Sequence, residues 1–153
     1  MKNKLAYLLG VIAIILIIIV VVLFVNNKDF VPPKMDSSSK SGTPKFVEEL
    51  GYKNLKVSED YNIAIAGKPK LDGKNLFIYF TSDKNSKYLF KLRIYKNDSL
   101  IEETGLIEPG HYIDKINVGS KLKKGDSISY KIMGYEYDTY YSAGEVFLDV
   151  RVW

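Results

Sequence analysis

The chain has 153 residues, room for one ordinary domain, and its 46% apolar fraction is inflated by a single run near the N-terminus. Its formal charge of +4 comes almost wholly from lysine, because arginine occurs only at positions 93 and 151 and acidic residues are mixed throughout; this describes a solvated surface and argues against a nucleic-acid groove. With no cysteine, disulfide staples, thiolate metal sites, a thiol nucleophile and Cys-linked lipid anchors are excluded.

Leu5 to Val25, "LAYLLGVIAIILIIIVVVLFV", carries no charged residue and would span about 31 Å as a helix, the thickness of a bilayer core. The run is longer than the apolar region of a cleavable signal peptide and leads into "NNKDF" instead of a small-residue cleavage site. The expectation is an uncleaved transmembrane signal-anchor over 5–25, with residues 1–4 as a short cytoplasmic tail. Lys2 and Lys4 precede the run while Lys28, Lys34 and Lys40 come after it, so flanking charge is close to balanced. The very short tail and the β-rich character of the rest of the chain favour a single pass at the cell membrane with the C-terminal part extracytoplasmic.

Residues 26–45 contain Pro32, Pro33, Pro44, a serine run and scattered lysines, with no apolar periodicity to bury, and read as a linker. The ectodomain is expected over 46–153. A short helix is expected over 46–50, with Gly51 as its stop.

From residue 61 the hydrophobic period becomes two, in short segments rich in Tyr, Ile, Phe and Val. Strands are expected at 61–66, 75–82, 88–96, 100–107, 112–118, 127–137 and 145–153. Seven strands in this length is the count of an all-β antiparallel sandwich. In "YLFKLRIYK" Tyr88, Phe90, Leu92 and Ile94 share one face and Lys91 and Arg93 the other, so one face is core and one is wet. "DKNSK" (83–87) and "KNDS" (96–99) supply the Asn and Asp that hairpin turns use.

Between the fourth and fifth strands stands Glu108-Pro109-Gly110. Proline presets φ near about −65° and glycine accepts the positive φ of a type II turn, so Pro109 and Gly110 read as a structural bend between the two sheets.

Around this bend, "ETGLIEPGHYIDKINVGSKLKKGD" resembles a pattern of small single-span surface proteins of Gram-positive bacteria. The matching positions are Gly105, Leu106, Ile107, Pro109, Gly110, Ile113, Ile116, Leu122 and Gly125. The resemblance covers roughly residues 75–153 and includes the N-terminal anchor and linker. It implies an immunoglobulin-like β-sandwich ectodomain, in proteins sometimes encoded near conjugative or other mobile elements. The chain departs from the pattern at "SDKNSK" and "YSAG", both in loops, which puts any shared ligand in doubt.

Chemistry-bearing patterns are few. His111 is the only histidine and no Gly-x-Ser-x-Gly context accompanies it, so no catalytic residue is assigned and the expectation is a non-enzyme. One histidine and no cysteine make no zinc site, and neither phosphate-loop nor dinucleotide fingerprint is present, so no metal or cofactor is expected. The densest constellation is "YKIMGYEYDTYYSAG". Tyr135, Tyr137, Tyr140 and Tyr141 are candidate binding residues, because tyrosine combines large contact area with a polar tip. The competing reading is that the tyrosines of this hairpin, Tyr130 included, pack inward and one makes a corner hydrogen bond. The functional expectation is a membrane-anchored interaction or scaffolding module with a protein partner at the cell surface. The alternative is a small-ligand or cell-wall carbohydrate binding module.

Overall fold

The computed structural model describes residues 10–21, 31–45 and 48–153, and divides into one unit up to Pro32 and another from Pro33 to Trp153. In the first unit residues 10–21 are helical, and the large apolar side chains from Val11 to Val21 are all exposed. Among the described residues no helix is long and apolar enough to cross a membrane. The remainder of the expected span, 5–9 and 22–25, lies outside the described residues, as do the tail at 1–4, the linker's 26–30, and Phe46 and Val47.

The second unit is built from β-strands in chain order: β1 Lys40–Ser41, β2 Tyr52–Ser58, β3 Tyr61–Ala66, β4 Lys70–Asp72, β5 Asn75–Ser82, β6 Leu89–Lys96, β7 Ser99–Glu103, β8 His111–Asn117, β9 Ser127–Tyr135 and β10 Ser142–Arg151. They form two antiparallel sheets. The larger runs β1-β8-β5-β3-β2, with β4 hydrogen-bonded to the first half of β5, and the smaller runs β10-β9-β6-β7. All seven expected strands are present, two with the bounds expected and the other five within four residues at either end.

Three strands lack the pattern that marked the others. β1 is two exposed residues, β4 is three, and β2, "YKNLKVS", mixes lysine and asparagine into its alternation. They exist because an edge ladder needs backbone N–H and C=O groups, not apolar side chains. The same reason draws in part of the stretch read as linker. Lys40 and Ser41 pair with Tyr112 and His111, and Met35 bridges Leu106. The Asp36 carboxylate accepts the Gly105 N–H at 2.7 Å. A Cβ on Gly105 would lie 2.7 Å from the Asp36 backbone, so glycine is what lets this segment lie so close. The compact β unit therefore begins at Pro33, ahead of residue 46. Of the short helix expected at 46–50, Glu48–Leu50 forms one turn of 3-10 helix, ended by Gly51 at φ +54.

The core lies between the sheets. Tyr61, Ile63 and Ile65 of β3 and Leu76, Ile78 and Phe80 of β5 meet Phe90, Leu92 and Ile94 of β6 and Ile128, Tyr130 and Ile132 of β9. Tyr61 crosses the interface: its hydroxyl donates to the Ile132 carbonyl at 3.1 Å, and its ring meets Phe90 edge-on at 4.8 Å between centroids. Gly134 of β9 is opposite, where a Cβ would fall 2.5 Å from Tyr61 Cε2. Because Tyr61 is fully buried, its ring cannot swing into solvent to make room. Gly134→Ala should therefore destabilise the β unit by about 1–3 kcal/mol, the usual cost of overpacking, measured by denaturant unfolding.

The outer face of the smaller sheet is wet and charged. Glu103 bonds both Lys91, at 2.7 Å, and Arg93, at 2.8 Å, across the β6–β7 pair, and Lys131 pairs with Glu145 across β9–β10 at 2.7 Å. Burial pushes the Glu103 carboxyl up, but the hydrogen bonds and charges of Lys91 and Arg93 outweigh it and hold it below its ordinary value. A depressed carboxylate stabilises the fold above its unfolded value, near about pH 4, and that contribution disappears as pH falls through the folded value. The stability advantage of the native chain over Glu103→Gln should thus be constant near neutrality and shrink below about pH 4 in acid titrations.

Candidate functional site

The bend expected at Pro109-Gly110 is a β-turn, closed by the His111 N–H donating to the Glu108 carbonyl at 3.1 Å, with Gly110 at φ 73. It carries the chain from the β7 side of the smaller sheet into β8 of the larger one. Leu106 and Ile107 before it and Ile113 after it are buried. The Gly110 N–H donates to the Ser82 carbonyl, and the Gly42 N–H donates to the Gly110 carbonyl, so the turn is fastened on both sides. His111 is half-buried, and its Nδ1 lies 3.3 Å from the Pro109 carbonyl oxygen.

Two surfaces flank this turn. One is the β9–β10 hairpin, whose end is closed by the Glu136 N–H to the Tyr141 carbonyl, at 3.0 Å, and the Tyr140 N–H to the Glu136 carbonyl, at 3.1 Å. Thr139 adds a hydroxyl bond to Glu136 Oε2 at 2.7 Å. The hairpin sorts its tyrosines into separate roles. Tyr130 is fully buried, Tyr135 is half-buried with its hydroxyl 3.6 Å from Met133 Sδ, and Tyr140 is half-buried at φ 55. Tyr137 and Tyr141 are exposed, at 43% and 71%. Partial burial and then the Glu108 charge push the Tyr137 phenol above its ordinary pKa, so this side chain stands within reach of the 108–111 turn. The Tyr61 hydroxyl of β3 makes a hydrogen bond across the sheets; the Tyr130 hydroxyl has no protein partner among the described residues.

The second surface was not singled out in the sequence. On the outer face of the larger sheet a groove of about 890 Å³ runs over β2, β3 and the end of β5, bounded by residues 41–43, 83–85 and 109–111. Its floor is low because Ala64 and Thr81, cross-strand partners, are short, while Tyr52 and Lys56 beside them are long. A β-bulge between Phe77 and Phe80 precedes it, with Tyr79 at φ 46. The Thr81 hydroxyl donates to the Tyr79 carbonyl at 2.9 Å and accepts from the Tyr52 hydroxyl. Burial, partly offset by that bond to Thr81, raises the Tyr52 pKa. Among the described residues Lys56 and Lys84 take part in no ion pair, and the Asn54 and Asn85 side chains have no hydrogen-bond partner. No sequence pattern could have marked this groove, since its residues come from segments far apart in the chain.

No group of three or more His, Asp or Glu able to hold a metal occurs among the described residues. No protein-family model, curated protein or solved structure matches this chain.

The turn separates two substitutions at adjacent positions. Gly110→Val should cost about 1–3 kcal/mol, because a β-branched residue resists positive φ. His111→Ala, which removes a half-buried ring from the turn's surface, should cost less than about 1 kcal/mol in the same thermal melts.

Proposed function

We propose that the chain is a membrane-anchored extracytoplasmic interaction or scaffolding module of a Gram-positive cell surface, accessory to a cell-envelope or transfer machinery, with a protein partner. The observation that carries this reading is the pair of exposed tyrosines, Tyr137 and Tyr141, on a hairpin end held by its own backbone hydrogen bonds. Aromatic side chains displayed on a rigid support lose little entropy on binding and dominate contact surfaces. The anchor is supported by the helical residues 10–21, whose large apolar side chains all stand exposed; such a rod calls for an apolar surrounding. The immunoglobulin-like reading is supported by the strand order. β3, β5 and β8 lie side by side as strands A, B and E of that fold do, and β7-β6-β9-β10 as C′, C, F and G.

A second reading, a small-ligand or cell-wall carbohydrate binding module, is favoured by the outer-face groove, whose volume of about 890 Å³ falls in the range of small-molecule sites.

Crosslinking the full chain in its native membrane tests the first reading. Tyr137→Ala with Tyr141→Ala should abolish the principal protein adduct while shifting stability by less than about 0.5 kcal/mol, as exposed positions do. Retention of every adduct with a lowered melting temperature would assign these tyrosines to folding and place the contact surface elsewhere. In the same preparation the full chain should sediment with membranes, and a chain lacking residues 1–26 should stay in solution.

A further inference from the structure

We infer that the outer-face groove binds an anion-bearing saccharide, a polyhydroxylated ring or short chain of rings carrying a carboxylate or phosphate. This deepens the second reading above and rests on it, not on the hairpin.

The lining argues for that class. Vicinal sugar hydroxyls each donate and accept, and side-chain amides answer both needs at once. Asn54 and Asn85 present amides with no protein partner, and Asn62 uses one amide hydrogen on the Glu59 carbonyl, leaving its oxygen to accept. Thr43 and Ser41 add hydroxyls along the opposite wall. Tyr52, half-buried, has its hydroxyl fixed on Thr81 and so holds its wall of the groove in place.

The charge of the ligand is set by the ammonium groups. Among the described residues Lys56 and Lys84 have no carboxylate partner, whereas on the smaller sheet Lys91, Lys96 and Lys131 are each paired at 2.7 Å. The one acid in the lining, Asp83, already accepts the Asn85 N–H at 2.7 Å. Two ammonium groups against that one carboxylate, over a floor of amides and hydroxyls, favour an anion at the rim. The floor itself is held ready: the left-handed backbone at Tyr79 and the bulge beside it set Thr81 outward, and such strained positions cluster where a surface is shaped for a ligand.

The test titrates the full chain in detergent micelles with tetragalacturonate, an anionic oligosaccharide, with maltotetraose, a neutral one of equal ring number, and with inorganic phosphate, by calorimetry and by backbone amide shifts. Tetragalacturonate should bind more tightly than maltotetraose and shift amides of residues 54, 62, 81 and 110. Lys56→Gln with Lys84→Gln should weaken tetragalacturonate at least about tenfold and remove its advantage over maltotetraose, and Asn54→Ala should weaken both sugars. Tyr137→Ala with Tyr141→Ala should leave sugar binding unchanged, which keeps this result separate from the crosslinking result. Binding of neither oligosaccharide would overturn the proposal. So would binding indifferent to the groove variants, or phosphate bound as well as tetragalacturonate with the same lysine dependence.

Discussion

The passage of Tyr61 from one sheet to the other, through the space Gly134 leaves open, is the contact on which the β unit depends. Two sheets that meet only through aliphatic side chains can slide, because dispersion attraction has no direction. A buried hydroxyl bonded to the Ile132 carbonyl fixes one alignment, since any slip would leave that hydroxyl unpaired in an apolar surrounding. Phe90, edge-on to the same ring, then fixes where β6 lies, and β6 carries β7 and β9 as neighbours. The contrast with Tyr130 is instructive. It is as deeply buried but its hydroxyl meets no protein partner among the described residues, so it fills volume without selecting a register.

With the inner faces fixed in this way, the two outer faces are left to differ, and they do. The smaller sheet spends its charges on itself, through cross-strand pairs from Lys91, Arg93 and Lys131. Part of the larger sheet's outer face instead carries short side chains, amides and a lysine, Lys56, that has no ion pair among the described residues.

How much of this fold is legible in the sequence depends on side-chain period. Where alternation is strong, as in "YNIAIA" and "NLFIYFTS", the strand bounds coincide with those read from pattern, because burying one face enforces the period. Pro109 and Gly110 were legible because their backbone restrictions are local. β1, β2 and β4 were not, since backbone pairing at an edge leaves no mark on side-chain type. The hairpin tyrosines could be recognised as a group but not sorted, because which of Tyr137, Tyr140 and Tyr141 faces outward depends on the backbone turn and not on residue identity. The groove was invisible for a different reason: Tyr52, Thr81 and Lys84 meet only after the chain has folded.

The short N-terminal fastening has a mechanical meaning. A pull on the chain from the side of Pro33 loads first the Asp36 bond to Gly105 and the two residues of β1, which would part like a zip, one bond at a time. What they release, up to Leu50, whose carbonyl is held by the Lys68 N–H, spans at most roughly 60 Å when drawn straight. The sheets and their core would thus be loaded last, after this fastening has parted.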